Sequence, residues 1–306
     1  MAEISASDVK ALRERSGAGM MDCKKALVEC DGDIEKAVDY LRKKGLSTAA
    51  KKASRVAAEG LIGVRVNGNV GTLVEVNAET DFVARNDTFQ TFVDNVVAIA
   101  SEQNCDLEAL KAAKYDGTHT VSEEMVNLIA TIRENIELRR VYHLSVDEGI
   151  VASYVHNKIS PSLGKIGVLV GIESKGDKAK LLELGKQIAM HIAAANPLST
   201  SVDDLDPAVV ARERDVVTEQ AKSSGKKAEF IDKIVEGRLR KFYEDAVLLE
   251  QVFVIDGTSR VKEVVENASK ELGTPVKVKG FCKFVLGEGI EKQVVDFAAE
   301  VAAQLS

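Results

Sequence analysis

A strand–turn–strand–helix pattern occurs twice in this 306-residue chain, and it limits the possible folds more than any other feature of the sequence. Turn or loop signals at 67–69 and 157–164 separate the first two strands of each copy. We predict strands at 60–62, 71–76 and 136–144 in the first copy and at 149–151, 167–172 and 278–285 in the second, and 71–76 is rich in β-branched and apolar residues. We therefore expect an α+β fold with a duplicated core, each half a small antiparallel sheet covered by helices.

A helix with one apolar face follows each strand pair, because apolar residues recur there at three- and four-residue spacing. These residues are Phe89, Phe92, Val93, Val96, Val97 and Ala100 in the first copy and Leu181, Leu184, Ile188, Ile192 and Ala195 in the second. Asp87 or Thr88 is a suitable N-cap for the first of these helices. A further amphipathic helix leads to the last strand of the first copy and carries Met125, Leu128, Ile129 and Ile132.

The amino-terminal residues predict a separate module of three short helices. Ser7 or Asp8 would cap the first helix, and the second would span about 21–30. Asp33 would cap the third helix, which we expect to end at Gly45. Three helices with a Gly-Met loop resemble a ubiquitin-associated-type fold. Basic residues in and around the next connection are interpreted as a solvated linker, since no aromatic residues alternate with them; they are Lys43, Lys44, Lys51, Lys52 and Arg55.

An inserted helical hairpin interrupts the second copy. Pro207 is a suitable first residue for its first helix, and a turn at 223–225 leads to its second helix. The apolar stripes of the two helices and the short turn between them predict an antiparallel αα-hairpin; the stripes contain Val209, Val210, Val216 and Val217, then Phe230, Ile234, Leu239 and Phe242. The segment 248–254 then returns to the core, where the path of the chain around Val252 is left open.

These patterns divide the chain into five parts. They are a helical module at 1–54, a first core subdomain at 55–146, a second core subdomain at 147–197 and 251–286, the hairpin at 198–250 and a carboxy-terminal module at 287–306. The last part is expected to form an amphipathic helix, from an apolar stripe of Val294, Val295, Phe297, Ala298, Val301 and Ala302.

The connection before the Phe89 helix carries an aromatic residue, Phe82, that neither the strand nor the helix pattern explains. Thr80 could cap a short helical turn that begins at Asp81. Phe82 could be a satellite core residue under its own loop. Alternatively, Asp81 and Phe82 could form an exposed wedge that enters a crevice of a partner. The second copy has no equivalent of Thr80-Asp81-Phe82-Val83, so the shared fold does not require this element. This difference between the copies is an argument for the wedge, and on these residues alone both interpretations stay open.

Two long segments of the chain resemble signatures of the bacterial elongation factor Ts family. One is 75–85, which contains Thr80-Asp81-Phe82-Val83, and the other is 12–27, which contains the Gly-Met loop. They lie far apart and in the order found in the family. Ser16 stands where the family more often has Thr, and Ala78 where it usually has Cys or Ser. Neither difference falls within the wedge.

The resemblance implies a guanine-nucleotide exchange factor that is not an enzyme, has no catalytic residues and uses no cofactor. Its partner would be the GTPase elongation factor Tu. Thr80, Asp81, Phe82 and Val83 would bind near the nucleotide of this GTPase and displace its Mg²⁺, so that GDP leaves and GTP can load. Asp81 and Phe82 would be the residues that enter the site.

Further partner contacts are implied by the same resemblance. The amino-terminal module, which the family also carries, would bind a helix of the GTPase domain, with Met20 and Met21 as contact residues. His156 ends an element similar to a Ser-Tyr-x-His contact with the third domain of the partner; an ordinary turn histidine is the alternative. The resemblance also implies that the inserted hairpin is a protruding antiparallel coiled coil. It would bind either the partner or a second copy of this chain, which makes a homodimer possible.

Composition and motifs argue against several other classes of protein. A formal net charge of -7 and a pI near 5.4 are unlike a nucleic-acid-binding protein. The sequence lacks a phosphate-binding glycine loop and any histidine spacing typical of zinc. Glu79, Asp81 and Asp87 could hold Mg²⁺, but acidic residues are common around helix caps, so we expect no metal site. Scattered cysteines, no secretion signal and no bilayer-length apolar run predict a cytoplasmic protein without membrane contact.

Two other functions stay open on the sequence. The first is an adaptor, in which the amino-terminal module holds peptides or helices and the core is a scaffold. The second is a hydrolase with an acidic site. An exchange factor accelerates GDP release and consumes nothing, an adaptor binds without changing that rate, and a hydrolase turns over substrate alone.

Overall fold

The computed structural model describes residues 4–223 and 228–291 of the chain. Within these ranges it contains ten α-helices: α1 Ala6–Ser16, α2 Met20–Glu29, α3 Ile34–Lys52, α4 Asp87–Gln103, α5 Leu107–Ala112, α6 Val121–Ile132, α7 Lys178–Ala195, α8 Pro207–Ser223, α9 Ala228–Ala246 and α10 Val261–Leu272. Its strands are β1 Glu59–Asn67, β2 Val70–Ala78, β3 Ile136–Ser145, β4 Gly149–His156, β5 Leu163–Gly164, β6 Ile166–Glu173 and β7 Lys277–Val285. The helix predicted around 294–302 lies outside the described residues, as does most of the turn at 223–225.

The first three helices form a small module with its own apolar core. Its buried residues are Val9, Leu12, Cys23, Ala26, Leu27, Ala37 and Leu41. The cap of α1 is Ser5 instead of Ser7 or Asp8. The Ser5 hydroxyl accepts a hydrogen bond from the Asp8 amide, and the Asp8 carboxylate accepts one from the Ser5 amide, which completes a capping box. Gly17 ends α1 in the left-handed conformation, with φ of 64°.

The prediction that α3 ends at Gly45 is wrong, because the helix continues to Lys52. Glycine inside a helix is unfavourable by about 1 kcal/mol relative to alanine. Here a close helix contact explains it: a Cβ at Gly45 would lie 3.4 Å from Val126 Cγ1 and 3.7 Å from the Ala130 Cβ of α6. The basic residues at 43–52 consequently lie on a helix, and not in a linker.

Each half of the core is a small antiparallel sheet, which confirms the predicted fold class. The first sheet has the strand order β3-β2-β1-β5, and the second has the order β4-β6-β7. β5 comes from the loop of the second copy but pairs with β1 of the first. Helices α4 to α6 cover the outer face of the first sheet, while α7 and α10 cover the outer face of the second.

The inner faces of the two sheets pack directly against each other, so the layers run helix, sheet, sheet, helix. Their shared core contains Ile62, Val64, Leu73, Leu144, Val146, Val151, Val155, Leu169 and Phe284. Two glycines allow this close approach. A Cβ at Gly71 would lie 2.7 Å from Val151 Cγ1, and one at Gly167 would lie 2.7 Å from Ile62 Cγ2. Larger side chains at these two positions would force the sheets apart.

The two copies repeat each other at the level of the backbone. Gly60 and Gly149 stand at the starts of β1 and β4 with φ of 121° and 145°, a region that L-residues rarely adopt. A Cβ at either position would lie about 2 Å from a carbonyl oxygen of the neighbouring strand. Register shifts also occur at matching places, between Glu75 and Val76 and between Gly171 and Ile172. The duplicated core is therefore a structural repeat.

The hairpin consists of α8 and α9, with Pro207 as the first helical residue, as the sequence predicts. Val217, Ala221, Val235 and Leu239 are buried between the two helices. Val216 and Phe230, which belong to the predicted apolar stripes, are instead exposed. Self-association through the hairpin stays a prediction.

Helix α10 was not predicted, although the sequence carries its signals. Val261, Val265, Ala268 and Leu272 recur at helical spacing and pack on the second sheet. The Glu263 carboxylate accepts a hydrogen bond from the Arg260 amide at the start of the helix. Within the described ranges, no helix is long and apolar enough to cross a membrane.

A buried histidine joins α7 to the segment that follows the hairpin. His191 Nδ1 accepts a hydrogen bond from the Val254 amide at 3.2 Å, so Nε2 carries the proton and donates to Gln251 Oε1 at 2.8 Å. Gln251 Nε2 in turn donates to the Asp245 carbonyl at the end of α9. Burial lowers the pKa of His191 below its ordinary value of 6.5, while the hydrogen bond with Gln251 acts in the opposite direction.

We therefore expect the free energy of unfolding to fall on acidification. Below the ordinary pKa the unfolded chain binds a proton that the folded chain resists, so the contribution of His191 is complete above about pH 6.5 and is lost as the pH falls. One group can contribute at most about 1.4 kcal/mol per pH unit. Urea unfolding at about pH 7.5 and 5.5 tests this: the decrease should be smaller in His191→Gln, and an equal decrease in both proteins would contradict the assignment.

Candidate functional site

The loop at 79–86 joins β2 to α4 at one end of the first sheet. It turns at 81–82 and then forms a 3-10 helix, Val83–Arg85. Asn86, and not Asp87 or Thr88, caps α4: its side-chain oxygen accepts hydrogen bonds from the amides of Thr88 and Phe89. Strand and helix thus hold both ends of the loop.

Phe82 is exposed over 75% of its surface, so it is not a satellite core residue. Asp81 beside it is also exposed. Val83, which we grouped with them as a binding residue, is only 4% exposed and packs with Ala84 in the core of the first subdomain. Val83 therefore has almost no surface to offer a partner. Its burial instead fixes the loop directly after Phe82.

The sequence suggested that Thr80 caps a short helical turn, but in the structure Thr80 does not do so. Its amide donates to Glu134 Oε2 at 2.9 Å, and its hydroxyl donates to Glu134 Oε1 at 2.7 Å. One carboxylate thus binds both donors of the residue that precedes Asp81. Glu134 lies 54 positions further along the chain, so no local sequence pattern indicates this contact.

Glu79 is held in the same way at the start of the loop. Its Oε1 accepts a hydrogen bond from the Asn135 amide at 2.6 Å, and its Oε2 lies 3.3 Å from Arg55 Nη1. Asn135 Nδ2 also donates to the Arg55 carbonyl at 2.8 Å. Both carboxylate oxygens of Glu79 are thus engaged by protein donors. Among the residues that the structure describes, no three His, Cys, Asp or Glu side chains are placed to hold a metal ion.

The turn between α6 and β3 also reaches the amino-terminal module. Arg133, with φ of 66°, ends α6 and lies 3.6 Å from a carboxylate oxygen of Asp22 in α2. Lys44 pairs with the other oxygen of Asp22 at 2.6 Å. The hydrogen bond from Lys44, followed by the charges of Lys44 and Arg133, lowers the pKa of Asp22. Three consecutive residues, 133–135, therefore contact both the module and the loop at 79–86.

The other predicted contact residues occupy two different places. Met20 and Met21 are 58% and 76% exposed at the start of α2, next to Asp22 and thus on the module's link to the 133–135 turn. His156 is exposed at the end of β4 on the second sheet, where its Nδ1 lies 3.1 Å from the Tyr154 hydroxyl. Met20 and Met21 thus directly precede the α2 residue that pairs with Arg133, whereas His156 lies on the second sheet.

The second copy shows how much of the loop at 79–86, called the wedge loop from here on, the fold requires. Between β2 and α4 lie the eight residues 79–86, whereas only the four residues 174–177 lie between β6 and α7. The short connection is held by Asp177 as a helix cap, by a backbone hydrogen bond from the Ser174 amide to the Glu148 carbonyl, and by a hydrogen bond from the Gly176 amide to the Ser174 hydroxyl. The exposed Asp81 and Phe82 have no counterpart in the shorter connection of the second copy.

A buried charge cluster lies on β2, the strand that leads into the loop at 79–86, and it was not predicted from the sequence. Glu75 in β2 is fully buried and pairs with Arg139 and Arg140 of β3. It also accepts a hydrogen bond from the Gly287 amide at 2.8 Å. Arg140 stacks on the ring of Phe284, with 4.0 Å between its guanidinium carbon and the ring centroid. A glutamate inside an apolar strand was the available signal. The cluster joins the first sheet to the end of β7.

Comparison with known proteins gives a consistent result. A family model described as "Elongation factor TS" matches residues 79–288, beginning at the wedge loop. Relatives named elongation factor Ts match almost the full length. That of Rhodospirillum centenum is 60% identical over 304 residues, covering 99% of both chains. Those of Paramagnetospirillum magneticum and Rhodospirillum rubrum are 61% and 58% identical, covering 99% and 100% of this chain and 98% and 99% of the relatives.

Proposed function

Because this chain belongs to the elongation factor Ts family, we propose that it is a guanine-nucleotide exchange factor for the GTPase elongation factor Tu. It binds the GDP-loaded GTPase, promotes release of GDP and allows GTP to load. The observation that supports this role best is the exposed pair Asp81-Phe82 on a loop whose ends are both anchored. No covalent step is involved, so the protein acts by binding alone.

The wedge acts through burial and charge. Phe82 supplies binding energy when its ring leaves water and enters the GTPase, since an exposed aromatic ring gains most from burial at an interface. Asp81 brings a negative charge and hydrogen-bond acceptors to a site that already holds phosphates. Mg²⁺ neutralises that phosphate charge, so displacing the ion weakens the bound nucleotide. Thr80 and Val83 serve this contact from within the loop.

Exchange of this kind must be reciprocal. If the protein weakens the binding of GDP and Mg²⁺ to the GTPase, then GDP and Mg²⁺ weaken the binding of the protein by the same factor. We therefore expect the highest affinity for nucleotide-free GTPase and a decrease as GDP and Mg²⁺ are raised together. Asp81→Ala combined with Phe82→Ala should flatten this dependence, because a ligand without differential affinity shifts nothing.

The test is release of fluorescent GDP from purified elongation factor Tu, together with calorimetric titration at several Mg²⁺ concentrations. An exchange factor accelerates release at substoichiometric amounts. Binding without acceleration, and with equal affinity for empty and GDP-loaded GTPase, would make the protein an adaptor. Turnover of substrate by this chain alone would make it a hydrolase.

The remaining surfaces extend this proposal. Met20 and Met21 are flexible, apolar and exposed, which suits the binding of a partner helix. We assign them to the GTPase domain and His156 to a second contact on the partner. The hairpin either adds to the partner interface or binds a second copy of the chain. Analytical ultracentrifugation with and without the GTPase separates these two roles of the hairpin.

A further inference from the structure

We propose that Glu134 is a positioning residue for exchange: its carboxylate fixes the backbone at Thr80 so that Asp81 and Phe82 project in one orientation. This inference rests on the proposed function. Glu134 is not in the wedge and has no role in the family resemblance described above. The proposal adds a residue that acts on the wedge from the α6–β3 turn.

The geometry of the Thr80–Glu134 contact carries this inference. Both carboxylate oxygens are used, one by the amide and one by the hydroxyl of a single residue, at 2.9 and 2.7 Å. Two bonds from a rigid pair of oxygens restrict rotation as well as distance, and bonds to a charged acceptor are stronger than neutral ones. Thr80 directly precedes Asp81, so this restriction applies at the amino-terminal side of the exposed pair.

Both sides of the wedge are consequently fixed, but by different means. On the carboxyl side, Val83 and Ala84 are buried and the 3-10 helix begins. On the amino side, apolar anchoring stops at Ala78, and polar bonds from Glu79 and Thr80 to the 134–135 segment replace it. Without them, the exposed pair would keep one anchor and swing about it. When the other surfaces of the protein have already bound the GTPase, a wedge that swings would occupy the productive orientation only part of the time, which lowers the maximal rate of exchange.

The adjoining turn is suited to holding Glu134 still. Arg133 ends α6 in the left-handed conformation and pairs with Asp22, and the Asn135 side chain is buried and bonded to the Arg55 carbonyl. Glu134 is thus flanked by two anchored residues. The wedge therefore takes its orientation from the packed helix α6 and from the base of the amino-terminal module.

One test uses the absence of tryptophan from the sequence. In a Phe82→Trp background the single indole reports the mobility of the wedge without any partner. We expect Glu134→Ala to increase the rapidly decaying part of its fluorescence anisotropy. Glu134→Gln should restore the original decay, because its amide can accept from the Thr80 amide and donate to the hydroxyl. Glu137→Ala, at an exposed position on neighbouring β3, is the matched control and should leave the decay unchanged.

The second test measures GDP release with proteins that keep the natural Phe82, without the tryptophan substitution. Glu134→Ala should lower the maximal rate at saturating protein by about tenfold, the size expected for losing hydrogen bonds to a charged group. Thr80→Val, which loses only the hydroxyl bond, should give a smaller loss. Glu134→Gln and Glu137→Ala should stay close to the unsubstituted protein. A loss that is confined to the half-saturating concentration would overturn a positioning role.

The two tests separate failure of this inference from failure of the proposed function. If the unsubstituted chain does not accelerate GDP release, the proposed function fails, whereas the anisotropy still decides whether Glu134 orders the loop. If the chain does accelerate release but Glu134→Ala changes neither the anisotropy nor the maximal rate, the inference is overturned. Should Glu134→Ala fail to fold, the anisotropy of Thr80→Val decides in the absence of the GTPase, since this variant loses the hydroxyl bond and leaves the 133–135 turn unchanged: an unaltered decay would overturn the inference.

Discussion

Phe82→Ala is expected to lower the efficiency of GDP exchange by at least about 30-fold, the equivalent of about 2 kcal/mol for an aromatic residue at the centre of an interface. The free energy of unfolding should change by less than about 0.5 kcal/mol, because the ring is already in water in the free protein. Its 75% exposure is the reason that the two effects separate. GDP release and urea unfolding of the same preparation measure both.

Phe89 provides the comparison within the same segment, seven residues further on. Its ring is fully buried against the first sheet. Phe89→Ala should therefore lower the free energy of unfolding by roughly 3–5 kcal/mol. If Phe82→Ala instead destabilised the protein as Phe89→Ala does, and kept its activity per folded molecule, the wedge assignment would be wrong.

Glu75→Ala should have the largest effect on stability among single substitutions in the polar clusters described above. It removes the shared counterion of Arg139 and Arg140, both largely buried, and leaves the Gly287 amide without its acceptor. Breaking one partner of a buried ion pair lowers the free energy of unfolding by roughly 3–5 kcal/mol. Urea unfolding followed by circular dichroism is the appropriate measurement.

The control for this substitution is an exposed ion pair on the same core. Glu148 pairs with Lys175 at 3.6 Å, and the side chains are 63% and 74% exposed. Glu148→Ala should change the free energy of unfolding by no more than about 1 kcal/mol, since solvent screens such pairs. Equal effects of the two substitutions would mean that the Glu75 cluster contributes only through surface charge.

Much of the fold could be predicted because its strands and helices have clear apolar periods. The strand pairs, the Phe89 helix and the hairpin all follow from spacing alone. Helix ends were less certain, since Ser5 and Asn86 cap helices where neighbouring residues were equally plausible by type. Gly45 was interpreted as a helix end because a sequence does not show which helix will pack against it.

Part of the candidate site could likewise be predicted from the sequence, and part could not. Phe82 could be recognised because it fits neither neighbouring period. Its support could not be recognised, because Glu134 and Asn135 reach the loop only after the sheet brings β2 and β3 side by side. The burial of Val83 could not be predicted either, because it follows an exposed residue in sequence and turns inward at the start of the 3-10 helix.

The unequal connections of the two copies have a consequence for how such a molecule can change. The four residues 174–177 serve as an internal reference, since they join the same two elements in the same order with nothing to spare. The exposed residues that 79–86 has beyond that minimum are not needed to join the strand to the helix. Under the proposed function, Asp81 and Phe82 act on the partner and not on folding, whereas Val83 and Glu134 also hold the loop in its fold. A duplicated scaffold thus lets one connection specialise while the other preserves the architecture.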